Sequence, residues 1–229
     1  MEKHHYHQAT AAVAGEVNVE DDPKARDLLR RASEKTYRWP KGFSGFEADL
    51  IISHQGRAVK GTVRVKLGED VVVTLPDEDL KQWAQGQIGM MAVHRGPRPF
   101  EAADGRHKLT LGDDDNHPLG RLVFIHGDGM NSRYRIKEDR IQQIQRTPPH
   151  IKFTINVEDS LTTRDGRFLT TRYSVYYFSS DGLLRQVESY WDTPALVGEI
   201  YLPGQRRVNF SENGEVVTRT TLFQGHRLL

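Results

Sequence analysis

The side chains that could do chemistry in this chain are scattered. There is no cysteine, which excludes disulfides, thiolate metal sites and a cysteine nucleophile. The histidines after the second helix begins, His94, His107, His117, His126, His150 and His226, show no i+2 or i+4 ligand spacing. Separate strands could bring His107, His126 and His150 together, but ordinary strand and loop positions account for them. His4, His5 and His7 sit in a polar leading segment and read as a solvated tail. The run Asp113-Asp114-Asp115-Asn116 matches a calcium loop in composition only. It lacks the glycine at position six and the glutamate at position twelve, and reads as a solvated loop. A phosphate-binding glycine loop, Gly-x-Ser-x-Gly and His-Glu-x-x-His are absent. No cofactor or metal is expected, and no catalytic residue is assigned.

Carboxylates and aromatic residues carry more information. Asp49, Glu188 and Glu215 fall within or beside strand patterns. Alternation puts Glu188 on one face with Leu184, Gln186 and Tyr190, where burial would raise its pKa and suit it to acid–base work. A wet face or a salt bridge to Arg172 on the preceding strand is the preferred reading. Tyr173, Val175 and Tyr177 share one face of a strand, and Tyr176 and Phe178 the other. Tyrosine and tryptophan join apolar area to one polar handle, which suits amphipathic ligands. Trp39, Phe46, Trp83, Met91, Tyr173, Tyr177 and Tyr190 are the candidate lining of a concave apolar pocket.

These residues need elements to position them. Asp22 caps and Pro23 starts a helix that carries Ala25, Leu28, Leu29 and Ala32 on one face and ends by about residue 36. Residues 77–94 form a second helix, opened by Asp77 and spaced by Leu80, Trp83, Ala84, Ile88 and Met91. Gly86 and Gly89 weaken it by roughly 1 kcal/mol each, or allow close approach to a sheet. Between the helices the period is two: Phe46, Ala48, Leu50 and Ile52 share a face, then Val59 to Leu67 alternates with charged residues. Strands follow at 107–111, 119–126, 132–136, 140–145, 150–157, 168–178, 183–191, 199–202, 205–210 and 216–224. Asp165-Gly166, Asp181-Gly182 and Asn213-Gly214 supply hairpin turns.

The expected fold is α+β: one long curled antiparallel sheet, an incomplete β-barrel, with about two helices packed on its concave face. Residues 1–21 read as a flexible arm and 22–229 as a single domain. No repeat of 20–50 residues supports a solenoid or propeller, and strands not separated by helices argue against a Rossmann fold. Lys plus Arg total 32 against 31 for Asp plus Glu, so no whole-molecule field attracts nucleic acid or an anionic membrane. No apolar stretch is long enough for a signal core or a membrane span, and the expected location is cytoplasmic.

Four blocks then stand out in order: SEKTYRWPKGFSGFEADL (33–50), GDGMNSRYRIKEDRIQQIQR (127–146), FTINVEDSLTTRDGRFLTTRY (153–173) and YLPGQRRVNFSENGEVVTRTT (201–221). With them the chain resembles domain-of-unknown-function family 3386, known mainly from cyanobacteria and plastids, over about residues 22–229. That resemblance implies no activity and no catalytic residue. More remotely, the sheet resembles the lipoprotein-carrier type of half-barrel, which shelters acyl chains. The first expectation is therefore a binding module for a lipid, isoprenoid or pigment-like molecule. An interaction or assembly protein with a fully packed core comes second, and an enzyme using Glu188 or a histidine third. An apolar void of at least ~300 Å³ would mark a ligand site.

Overall fold

The structure, a computed structural model, describes residues 19–149, 151–212 and 214–229. His4, His5, His7, His150 and Asn213 lie outside the described residues. Helix α1 spans Pro23–Lys35. Asp22 accepts from the backbone N–H of Lys24 at 2.8 Å and caps the free donors of its first turn. Helix α2 spans Glu78–Arg95, with Asp77 accepting from the Leu80 N–H at 3.0 Å. Gly96 and Pro97 end it.

Among the described residues there are twelve strands. They are β1 (Gly45–His54), β2 (Arg57–Lys66), β3 (Val72–Thr74), β4 (Lys108–Leu111), β5 (Arg121–His126) and β6 (Arg133–Lys137). There follow β7 (Arg140–Arg146), β8 (Lys152–Thr162), β9 (Phe168–Phe178), β10 (Leu184–Val197), β11 (Ile200–Glu212) and β12 (Glu215–Leu228). All lie in one antiparallel sheet ordered β3-β2-β1-β12-β11-β10-β9-β8-β7-β6-β5-β4. From β4 to β12 this is a plain meander. The first three strands are added beyond the last one, with Leu50 of β1 opposite Phe223 of β12. Strands β3 and β4 remain as edges, so the barrel is open.

Each helix covers one end of the concave face. Helix α1 buries Ala25, Leu29 and Ala32 against Leu109, Val123, Tyr134 and Ile136 of β4 to β6. Helix α2 buries Leu80, Ala84, Ile88 and Met91 against Phe46, Leu50, Val63 and Val73 at the other end. A third cluster of Val175, Tyr190, Val208, Phe210 and Val217 lies along the middle strands.

Two local expectations need correction. Residues 199–202 and 205–210 are one strand, not two. Pro203 of β11 stands opposite Pro194 of β10 at a register shift, so two residues without an N–H share an irregularity where the ladder needs fewer donors. Gly86 and Gly89 do not mediate close approach to the sheet, because a Cβ built on either meets no atom within 4 Å.

Candidate binding groove

The middle of the concave face is built by register. Tyr173 of β9 pairs with Tyr190 of β10, which pairs with Val208 of β11. One row along, Val175 pairs with Glu188 and Glu188 with Phe210. One row further, Phe153 of β8 pairs with Tyr177, and Tyr177 with Gln186. Side chains alternate between faces along each strand, so these rows share the concave side. The Tyr173 and Tyr190 rings stack at 4.5 Å with 5° between their planes.

Glu188 is the polar centre of this strip. Tyr190 donates its hydroxyl to Oε2 at 2.5 Å, Tyr177 donates to the same oxygen at 3.3 Å, and the Gln186 amide donates to Oε1 at 2.9 Å. Burial and the Glu188 charge push the Tyr190 phenol well above its ordinary pKa. The expected salt bridge to Arg172 is not made. Arg172 pairs with Glu158 at 3.1 Å and lies over the exposed Trp191 ring at 5.6 Å. Alternation had left both readings open, and the inward one is what the register produces.

Beside the tyrosines lies a buried ion pair. Arg206 of β11 donates Nε and Nη2 to Asp192 of β10 at 2.8 and 2.7 Å. Its Nη2 also reaches the Tyr173 hydroxyl at 3.3 Å, and its Nη1 the Gln87 carbonyl of α2 at 3.5 Å. Arg95, at the end of α2, donates to the Thr170 carbonyl at 3.0 Å and stands 3.9 Å from Asp192. Sequence reasoning missed this group. One signal was available: Arg206 shares a face with Val208 and Phe210, so a charge falls on an apolar row.

The seven candidate lining residues divide. Tyr173, Tyr177 and Tyr190 form the central strip, with Trp83 of α2 at its border beneath the Arg219 guanidinium, 5.2 Å from its ring. Trp39, Phe46 and Met91 belong instead to the packed end under α2. Trp39 donates its indole N–H to the Tyr201 carbonyl at 3.0 Å. The void between Trp39, Met91, Arg95, Leu169 and Tyr201 measures about 20 Å³, room for one water. A larger depression of about 380 Å³, beside Leu184, Val187, Phe210 and Val216, is wide open to solvent. Among the described residues no cluster of three or more His, Cys, Asp or Glu is placed to hold a metal ion. No helix among them is long and apolar enough to cross a membrane.

An open antiparallel half-barrel, with a helix at each end of its concave face and a tyrosine strip between, is the class these features define. The chain belongs to the family described as protein of unknown function DUF3386, whose model matches residues 20–229. No curated protein matches it. Among solved structures it is similar to a domain from Vibrio parahaemolyticus assigned to outer membrane lipoprotein sorting. That likeness has 8% identity, covers 90% of this chain and 92% of the other, and has a TM-score of 0.39. It is also similar to a DUF1329 family protein from Desulfovibrio piger (10% identity, 92% and 94% covered, TM-score 0.37). A third likeness is to the Pseudomonas aeruginosa MucA/MucB complex (10% identity, 90% and 99% covered, TM-score 0.25).

Proposed function

We propose that this protein is a binding module for a hydrophobic ligand of the lipid, isoprenoid or pigment type, held on the concave face along Tyr173, Tyr177 and Tyr190. One observation carries the reading. Phe153, Ile155, Tyr173 and Tyr177 stay only partly buried where the two helix-covered ends of the face leave the middle strands between them. A ligand laid there removes apolar surface from water at roughly 25 cal/mol per Å² before ordering costs. Trp39, Phe46 and Met91 join the same wall only if α2 lifts, since their present void takes about one water. Gly86 and Gly89 lower the intrinsic stability of α2, so local unwinding of the helix is the motion that would open this end. A cysteine-free chain also fits the cytoplasmic part of the reading.

Native mass spectrometry of gently purified protein, alone and after exposure to palmitate and to a carotenoid, tests this. A retained or acquired ligand of matching mass is expected. Protein that carries nothing and takes up neither compound counts against a carrier. That result would favour the second reading, an assembly protein with a packed core, for which the small void under Trp39 is the specific support.

A further inference from the structure

The end of α2, the connector after α1 and strand β7 bring several basic residues together around His94. Arg38 lies on the connector, His94 on α2, Arg98 just beyond it and Arg146 at the end of β7. Arg38, Arg98, Arg146 and Arg206 all act electrostatically on His94, which is solvent-exposed although these groups crowd around it. The carboxylates of the region are already engaged. Asp192 holds Arg206 through both oxygens, and Asp104 accepts from Arg98 at 2.8 Å. Asp128 accepts from the backbone N–H groups of Met130 and Ser132 in its own loop.

Arg38 and Arg146 are left without a carboxylate partner among the described residues. Arg38 donates one Nη to the Ser33 carbonyl at 3.1 Å, and Arg146 donates one to the Tyr134 hydroxyl at 3.0 Å. The Nε of each is buried with no hydrogen-bond partner. Buried polar atoms are nearly always satisfied, so these unused guanidinium donors point to an acceptor that the described residues do not supply. A guanidinium with unused donors matches the geometry of a carboxylate or phosphate.

We propose that Arg38 and Arg146, with Arg98 and His94 beside them, form a binding site for one anionic group, a carboxylate or a phosphate. Resting on the carrier reading, the inference assigns that group as the headgroup of the hydrophobic ligand, whose chain runs onto the tyrosine strip. The ligand class narrows from lipid-like to acidic amphiphile.

The test uses the full chain, with oleate, oleyl alcohol and inorganic phosphate as probes and calorimetric titration as the readout. Oleate is expected to bind at least about tenfold more tightly than oleyl alcohol, and phosphate to compete with it. An Arg38→Gln/Arg146→Gln variant should bring oleate down to the level of oleyl alcohol and leave oleyl alcohol itself unchanged. Its thermal melt without ligand should stay cooperative, which shows that the loss is one of binding and not of the fold. If that variant does not fold, Arg146→Lys keeps the charge, loses the fork and should still weaken oleate several-fold. Equal binding of oleate and oleyl alcohol, or full oleate binding by the variant, overturns the anion site and leaves the carrier reading standing. Phosphate binding that depends on both arginines, with neither oleyl compound bound, keeps the anion site and overturns the carrier reading. No binding of any probe overturns both.

Discussion

Arg206 and Asp192 face each other across β11 and β10 as a two-point ion pair, with side chains 6% and 10% exposed. Removing one partner strands a buried charge. Asp192→Asn is therefore expected to destabilise the fold by about 3–5 kcal/mol in urea unfolding. Adding Arg206→Met to Asp192→Asn should recover much of that loss. A single-variant cost below about 1 kcal/mol would show that water already solvates the stranded guanidinium.

Glu188 offers a graded series. Tyr190→Phe removes its shortest hydrogen bond and should cost about 1–2 kcal/mol, whereas Tyr177→Phe, at 3.3 Å and half-buried, should cost less. Equilibrium unfolding of both variants checks the order, and the reverse order would remove Glu188 from the centre of the strip.

Helix α2 should be easy to improve. Gly86→Ala and Gly89→Ala each place a methyl group where no atom lies within 4 Å. Each is expected to stabilise by about 0.5–1 kcal/mol, through higher helix propensity and a less flexible unfolded chain. If α2 lifts to admit a ligand, the doubly substituted protein should also take one up more slowly in stopped-flow mixing.

His94 supplies a pH dependence. Desolvation by the surrounding protein, then the Arg146, Arg98, Arg206 and Arg38 guanidiniums, hold its pKa down from 6.5 to about 4, although the residue still meets solvent. Between those values the unfolded chain binds more protons than the folded one, so stability falls as pH drops through that window. His94→Gln should therefore gain on the wild type between pH 7 and pH 4.5 in thermal melts. A gap that stays constant across that range would mean the imidazole titrates normally.

Much of the framework was legible without coordinates. Asp22 and Asp77 are hydrogen-bond acceptors at the starts of apolar 3.6-residue patterns, and both cap helices. Residues 168–178 are expected as one strand between turn residues, and β9 has those ends, with Tyr173 and Tyr177 on the inner face. Such signals are local: a period of two or 3.6 assigns each side chain to a face from its neighbours in the chain alone. The break expected at Pro203-Gly204 was also a local signal, and it failed because a proline can stand in a strand where the facing residue is also a proline at a bulge.

The tertiary structure decided what alternation is silent about, namely which strands are neighbours and in what register. Only the β1–β12 pairing brings the front of the chain to its end, with Leu50 against Phe223. Only the β9–β10 register adds Tyr177 of β9 to the Tyr190 donor on Glu188's own strand, and only the β10–β11 register sets Arg206 on Asp192. The curled sheet and the faces of its strands could be read from residue types and spacing, and the family from the resemblance of four ordered sequence blocks. Partners such as Arg206 and Asp192 are set by contacts between residues far from one another in the chain, which no local period encodes.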